Sequence, residues 1–159
     1  MKAIMTIGVA GCGKSTFADK LKDRFLEINL DECRDLVNGD ASDNSNPAEV
    51  AGYRDNLIEL AAMNGSDIII SDTNINKHFR ELLLDKLKEL GFDVTLVHIN
   101  TPLDKCLEFN SQRSRQVPED VMHTMHTTLQ NQITDGHLKH PAIKRFIRHN
   151  PLSEPMPDL

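Results

Sequence analysis

The chain has one stretch built for handling polyphosphate. Gly8-Val9-Ala10-Gly11-Cys12-Gly13-Lys14-Ser15 satisfies G-x-x-x-x-G-K-[ST]. Glycines at that spacing let backbone N–H groups turn inward around phosphates, and a helix following them adds its positive end. Lys14 is placed to bridge the outer phosphates and the Ser15 hydroxyl to take a position on Mg2+. Gly8, Gly11, Cys12, Gly13 and Thr16 complete the cradle. Cys12 reads as a small spacer, because its neighbours' amides serve the phosphates. A chance match in a chain this long is roughly one in 200, so the motif outweighs the alternative of a plain glycine-rich turn.

Three further groups of residues suit phosphoryl transfer. Asp72 ends the apolar run Ile68-Ile69-Ile70-Ser71. Ligands gather at the carboxyl ends of parallel strands, so Asp72 is expected to face the glycine loop and serve Mg2+ directly or through water. The competing reading is a turn aspartate before Thr73-Asn74. Asp31 ends a second short run, with Arg34 three residues later. There a carboxylate can take a proton from an attacking hydroxyl while a guanidinium fork holds a phosphate. The alternative is a helix cap with a surface ion pair of little consequence. Arg113 and Arg115 lie in the non-periodic segment Gln112 to Gln116, either as a flap closing on the transferred group or as an ordinary solvated loop. Lys139, Lys144, Arg145 and Arg148 read as a solvated helix face, with a phosphate-steering patch as the alternative. His123/His126 and His137/His140 have no matching carboxylate or thiol and read as surface histidines.

These residues need elements to hold them. Ala3 to Val9 and Asp67 to Ser71 read as buried strands, Leu26 to Leu30 and Asp93 to Ile99 as two more. Helices are predicted over Lys14 to Arg24, with Phe17, Leu21 and Phe25 inward, over Asp31 to Val37, and over Ala48 to Asn64, with Leu57, Leu60 and Ala61 inward. His78 to Leu90 carries Leu82, Leu83, Leu87 and Leu90 at helical spacing and stops at Gly91. Thr101-Pro102 reads as a cap followed by proline at the first helical position, with a helix to about Ser111, and Val117-Pro118 opens another. Gly39 to Pro47 is loop. Alternation of strand and helix predicts an α/β fold with a central parallel sheet of about four strands flanked by helices. Residues 1–150 form the expected single domain, and the proline-rich 151–159 a surface tail.

Composition narrows the class further. At 159 residues, 39% apolar and 26% charged, the sequence is that of an ordinary globular domain. It has no apolar run of membrane-spanning length, no signal-peptide core, and three scattered cysteines, so a cytoplasmic setting is expected. The net charge of -6 is uneven: residues 1–100 hold 11 basic and 17 acidic side chains, residues 101–159 seven of each. That balance disfavours tracking a long duplex and allows a local grip on a few phosphates.

The motifs taken together resemble a known group. Thr6 to Thr16, then Ile28-Asn29-Leu30-Asp31-Glu32-Cys33-Arg34, Ile69 to Asn76, Asn110-Ser111-Gln112-Arg113 and Val117-Pro118-Glu119-Asp120-Val121 resemble, in order over about residues 1–135, the kinase domain of bacteriophage-type 5′-polynucleotide kinases. The resemblance implies a P-loop kinase with a helical lid at about 110–121. By it, Asp31 is the general base, Arg34 the clamp on the acceptor's phosphate, and Asp72 the metal-site carboxylate. Thr73 lies near the acceptor, Arg113 is the lid arginine on the donor, and Val117 and Val121 contact the terminal base. Leu30 stands where the family has arginine, and a shorter spacing to Val117 leaves Arg115 as a rival lid residue. The phosphatase domain of that family opens with D-x-D-G-T, and this chain has no D-x-D.

The reading is therefore an ATP- and Mg2+-dependent kinase acting on the 5′-hydroxyl of an RNA or DNA end, in nucleic acid end repair, without 3′-phosphatase activity. No membrane or protein partner is expected. A P-loop kinase of a nucleoside, nucleotide or sugar would share the loop, Asp31 and the lid. A nucleotide-dependent switch would share only the loop.

Overall fold

In the computed structural model, which describes residues 1–159, the short Ile-rich runs become the inner strands of one sheet. β3 (Ile68–Ile70) is fully buried and pairs with β2 (Leu26–Ile28) on one side and β1 (Lys2–Ile7) on the other. β1 also pairs with β4 (Asp93–Ile99), and β4 with β5 (Ile143–His149), giving the order β2-β3-β1-β4-β5 with every pair parallel. Strands covered on both faces bury consecutive apolar side chains, which is why β1 and β3 show no polar alternation. Parallel pairing brings all the strand C-termini to one rim, where the glycine loop and both candidate aspartates follow their strands.

Six helices connect the strands: α1 (Lys14–Asp19), α2 (Leu30–Asn38), α3 (Pro47–Met63), α4 (Lys77–Glu89), α5 (Leu103–Ser111) and α6 (Glu119–Thr134). None is long and apolar enough to cross a membrane. Twenty-nine buried residues from the sheet and its covering helices make one continuous core. Beyond Asn150 the chain stays at the surface, with Met156 and Leu159 packed against that core.

Several expectations are corrected. The sheet has five strands, not about four: the segment holding Lys144, Arg145 and Arg148 is β5, not a helix face. A bulge explains why its pattern is hard to see. Val94 aligns with Ile143 and Thr95 with Arg145, so Lys144 is the extra residue that shifts the alternation. Regular helix in α1 ends at Asp19, and the chain continues in tight turns, Leu21 N–H to the Ala18 carbonyl and Arg24 N–H to that of Leu21. Those turns still bury Leu21 and Phe25. On α4 the inward leucines are Leu83, Leu84 and Leu87, while Leu82 is 54% exposed. On α3 the buried residues are Val50, Ile58 and Ala61, with Leu57 packed beside them, so Ala61 faces in as expected while Leu60 faces out. Thr101 does not cap α5: its hydroxyl donates to the Cys12 carbonyl at 2.6 Å, tying this loop to the glycine loop.

Candidate functional site

The loop after β1 gets its shape from positive-φ glycines and close neighbours. Gly11 has φ 74° and Gly13 φ 99°, a region costly for any residue with a Cβ. A Cβ on Gly11 would also lie 2.8 Å from the Cys106 carbonyl oxygen. The Lys14 ammonium folds back over the loop and donates to the Val9 carbonyl at 2.7 Å. It is thus held above the loop, where an anion would meet it.

Hydrogen bonds across the rim fix the loop after β3 against this cradle. The Thr73 carbonyl accepts from Gly8 N–H at 3.1 Å. The Thr6 hydroxyl donates to the Asp72 carbonyl at 2.8 Å, and Asn74 Nδ2 to the Thr6 carbonyl at 2.8 Å. Arg80, only 2% exposed, donates to the carbonyls of Asn74, Ile75 and His137 and to Gln132 Oε1. One buried guanidinium thereby joins the loop after β3 to α6 and to the turn following it.

Asp72 is not a turn-forming aspartate. Its Oδ1 accepts from the Leu30 amide at 2.8 Å, at the start of α2, whereas its Oδ2 is buried with no partner. Burial pushes its carboxyl up to about 6, against the pull of that amide, Arg54 and Lys14. A buried carboxylate oxygen without a donor, in a cleft that Ser15 also lines, is what a hard divalent cation with few protein ligands requires. The residues fit Mg2+.

Asn29, not Asp31, caps α2: its side chain accepts from Glu32 N–H at 2.8 Å. Asp31 is left free in the first turn, 53% exposed at its side chain. It pairs with Arg34, whose Nε donates to the Ala41 carbonyl at 2.8 Å, and Arg115 Nη1 approaches the same carboxylate oxygen at 3.5 Å. Arg34 is thereby braced between helix and loop. The flap that carries Arg113 and Arg115 is irregular, between α5 and α6, but anchored at its base. Asn110 Nδ2 donates to the Val117 carbonyl at 2.8 Å and the Val117 amide returns a bond to Asn110 Oδ1 at 3.0 Å.

These groups share one cleft of about 680 Å³. Gly11, Cys12, Gly13, Lys14, Ser15 and Thr16 line it with Asp31, Arg34, Asp72, Thr73, Arg113, Arg115 and Val117. Gly8 lies beneath the loop, and Val121 is not among the lining residues. Lys139, Lys144, Arg145 and Arg148 are also outside the cleft. Sequence reasoning missed Phe109, Met125, Pro151 and Leu152, which line the cleft as well. Phe109 and Met125 flank the flap on α5 and α6. The signal for Pro151 and Leu152 was obscured, since β5 delivers them to the loop. Cys33 and Cys106 are protonated spectators, their thiols pushed up by burial to about 11 and about 12.

The model of one domain family, described as AAA domain (AAA_33), matches residues 4–131. The chain belongs to the AAA domain family. Among curated relatives of this AAA-domain chain, the L-seryl-tRNA(Sec) kinase of Methanococcus maripaludis is 28% identical over 130 residues, 77% of this chain and 50% of the relative. Protein kti12 of Schizosaccharomyces pombe is 28% identical over 137 residues, 77% of this chain and 49% of the relative. The chain therefore spans about half the length of these relatives. Of solved structures, the Pnkp1/Rnl/Hen1 RNA repair complex contains a chain that superposes with TM-score 0.76 at 20% identity, over 84% of this chain and 45% of that one. A gluconokinase from Sinorhizobium meliloti superposes with TM-score 0.57 at 15% identity, over 98% of this chain and 85% of that one. At these identities the structures establish the fold, an α/β P-loop kinase fold with a five-stranded parallel sheet.

Proposed function

We propose that the protein transfers the γ-phosphoryl group of ATP to the 5′-hydroxyl at an RNA or DNA end. The observation that carries this reading is the Asp31 carboxylate in the same cleft as Lys14 and Ser15, flanked by two guanidinium groups. A switch that only binds nucleotide has no use for an exposed carboxylate held between two arginines on that rim. The relative whose name mentions tRNA, and the fold neighbour found in an RNA repair complex, support an RNA-borne alcohol as acceptor.

In the mechanism, the 5′-oxygen attacks the γ-phosphorus in line. Its proton passes to an Asp31 carboxylate oxygen, and the bond from phosphorus to the β–γ bridging oxygen breaks to release ADP. Lys14 leaves the Val9 carbonyl for the outer phosphates. Arg113, which lines the cleft from the flap, stabilises charge spreading over the transferred group. Arg115, turned toward Asp31, and the braced Arg34 orient the acceptor side. Thr73 and Val117 border the acceptor. Ser15 and Asp72 would hold Mg2+, which would supply neutralisation of the charge on the donor's phosphates.

A radiolabel transfer assay tests this directly, offering ATP with a 5′-OH RNA, a 5′-OH DNA, a 3′-mononucleotide, a plain nucleoside and seryl-tRNA. Label on the 5′-OH oligonucleotides is the expected result. Preference for the free nucleoside, or for seryl-tRNA, would move the acceptor class, and no product on any alcohol would leave a binding module. Asp31→Asn should retain ATP binding and lose transfer by ~10²–10⁴-fold. Transfer at the parental rate would remove Asp31 as the base.

A further inference from the structure

The last strand carries charge that the cleft does not use. From Gly136 to Ser153 the chain has Lys139, Lys144, Arg145 and Arg148 and not one Asp or Glu, although acids outnumber Lys and Arg by 24 to 18 overall. β5 is an outer strand of the sheet, so one of its edges has no strand beside it. Lys139, Lys144 and Arg148 are exposed and take part in none of the protein's ion pairs. Phe146 lies among them, 43% exposed. A hollow of about 200 Å³ lined by Leu138, Lys139, Lys144 and Phe146 opens at the start of the strand. Two neighbouring basic groups are already engaged: Arg145 donates to the Asp158 carbonyl at 2.5 Å, and His140 pairs with Asp85 at 2.7 Å.

We infer that this β5 edge is a docking surface for the phosphate backbone of a folded RNA, an inference that takes its choice of RNA from the function proposed above. Two unpaired cations along the strand and a third, Lys139, in the segment leading into it match a row of phosphates, and the exposed phenyl ring between Lys144 and Arg148 matches an unstacked base. Charged residues also guard sheet edges against strand addition. A guard works with either sign, whereas this segment uses one sign only in an acidic protein. Position sets the role. Asp31 follows β2 at one side of the sheet and β5 forms the other, four strand spacings or ~19 Å away. The surface therefore holds the body of the RNA and takes no part in the chemistry at its end.

The test is binding of a 5′-OH RNA hairpin, followed by fluorescence anisotropy without ATP from 50 to 200 mM salt. Lys139→Ala/Lys144→Ala/Arg148→Ala in the full chain should lower the slope of log Kd against log salt by about two to three, the value for three lost phosphate contacts. Its affinity at the lowest salt should fall at least tenfold. Single Lys139→Ala and Arg148→Ala variants should each lower the slope by roughly one, which keeps the test open if the triple variant folds poorly. Phe146→Ala should weaken binding about tenfold with the slope unchanged. A parent protein that does not bind the hairpin, or variants within twofold of it in affinity and slope, would overturn the surface. A triple variant that aggregates yet binds like the parent would identify an edge guard and overturn it equally. The readout is independent of transfer. Hairpin binding through β5 by a protein that phosphorylates no acceptor would sink the kinase reading and leave the surface standing.

Discussion

A buried carboxylate oxygen with no donor is costly unless something charged meets it, and Asp72 Oδ2 is such an atom. Burial pushes its carboxyl from an ordinary 3.8 up to about 6, so folding takes up a proton between those values. The stability this contributes is complete below about pH 4 and is lost as pH rises through 6, an effect of about 3 kcal/mol. Urea denaturation without metal should therefore show Asp72→Asn more stable than the parent at pH 7.5, with the difference gone near pH 4. Adding Mg2+ at pH 7.5 should stabilise the parent and not the variant. Equal responses to Mg2+ would move the metal site elsewhere. Arg34 offers a second test at this scale. It is held by both Asp31 and the Ala41 carbonyl, and in the proposed function it grips the acceptor's phosphate. Arg34→Ala should raise KM for a 3′-mononucleotide about tenfold or more while changing KM for a plain nucleoside little. Equal losses on both acceptors would remove that role.

Elements place these residues, and their ends carry the consequence. α2 starts where the Asn29 side chain accepts the Glu32 amide and Leu30 N–H reaches Asp72. Asn29, Asp31 and Asp72 are thus coupled within one turn. Asn29→Ala should cost about 1 kcal/mol of stability and lower transfer more than ATP affinity, read by thermal melting and by a kcat-against-Kd comparison. The glycine loop is constrained more tightly still. Gly11→Ala meets both a left-handed φ and the Cys106 carbonyl, so it should lower stability by roughly 1–2 kcal/mol and weaken ATP binding measured by calorimetry.

Across the whole molecule, Arg80 is the long-range tie. Its guanidinium links the loop after β3, α6 and the turn near His137, with no carboxylate among its partners. Burial lowers its pKa from the ordinary guanidinium value without removing its charge. Arg80→Met leaves buried Gln132 Oε1 and the part-buried Asn74 and His137 carbonyls without this donor and should cost on the order of 3 kcal/mol in denaturant unfolding. A loss below 1 kcal/mol would show that α6 is held by apolar packing alone. No periodicity marks this residue, because its partners are carbonyls brought together from three segments.

Local rules made much of the molecule legible. The glycine spacing and the apolar runs ending at Asp31 and Asp72 depend on short-range sterics and on burial from both sides, so the loop, the parallel sheet and the rim position of both aspartates could be read directly. Tertiary structure decided what depends on a neighbour. β5 exists because β4 offers a free edge, and its bulge at Lys144 hides the alternation. Thr101 gave up capping for the Cys12 carbonyl, a partner distant in sequence. Arg115 met Asp31, and Pro151 with Leu152 reached the cleft, only once the sheet had closed the distance. Sequence alone determines conformation where the forces act within a few residues. Where hydrogen bonds and ion pairs choose among partners far along the chain, the choice is settled by which surfaces packing brings together.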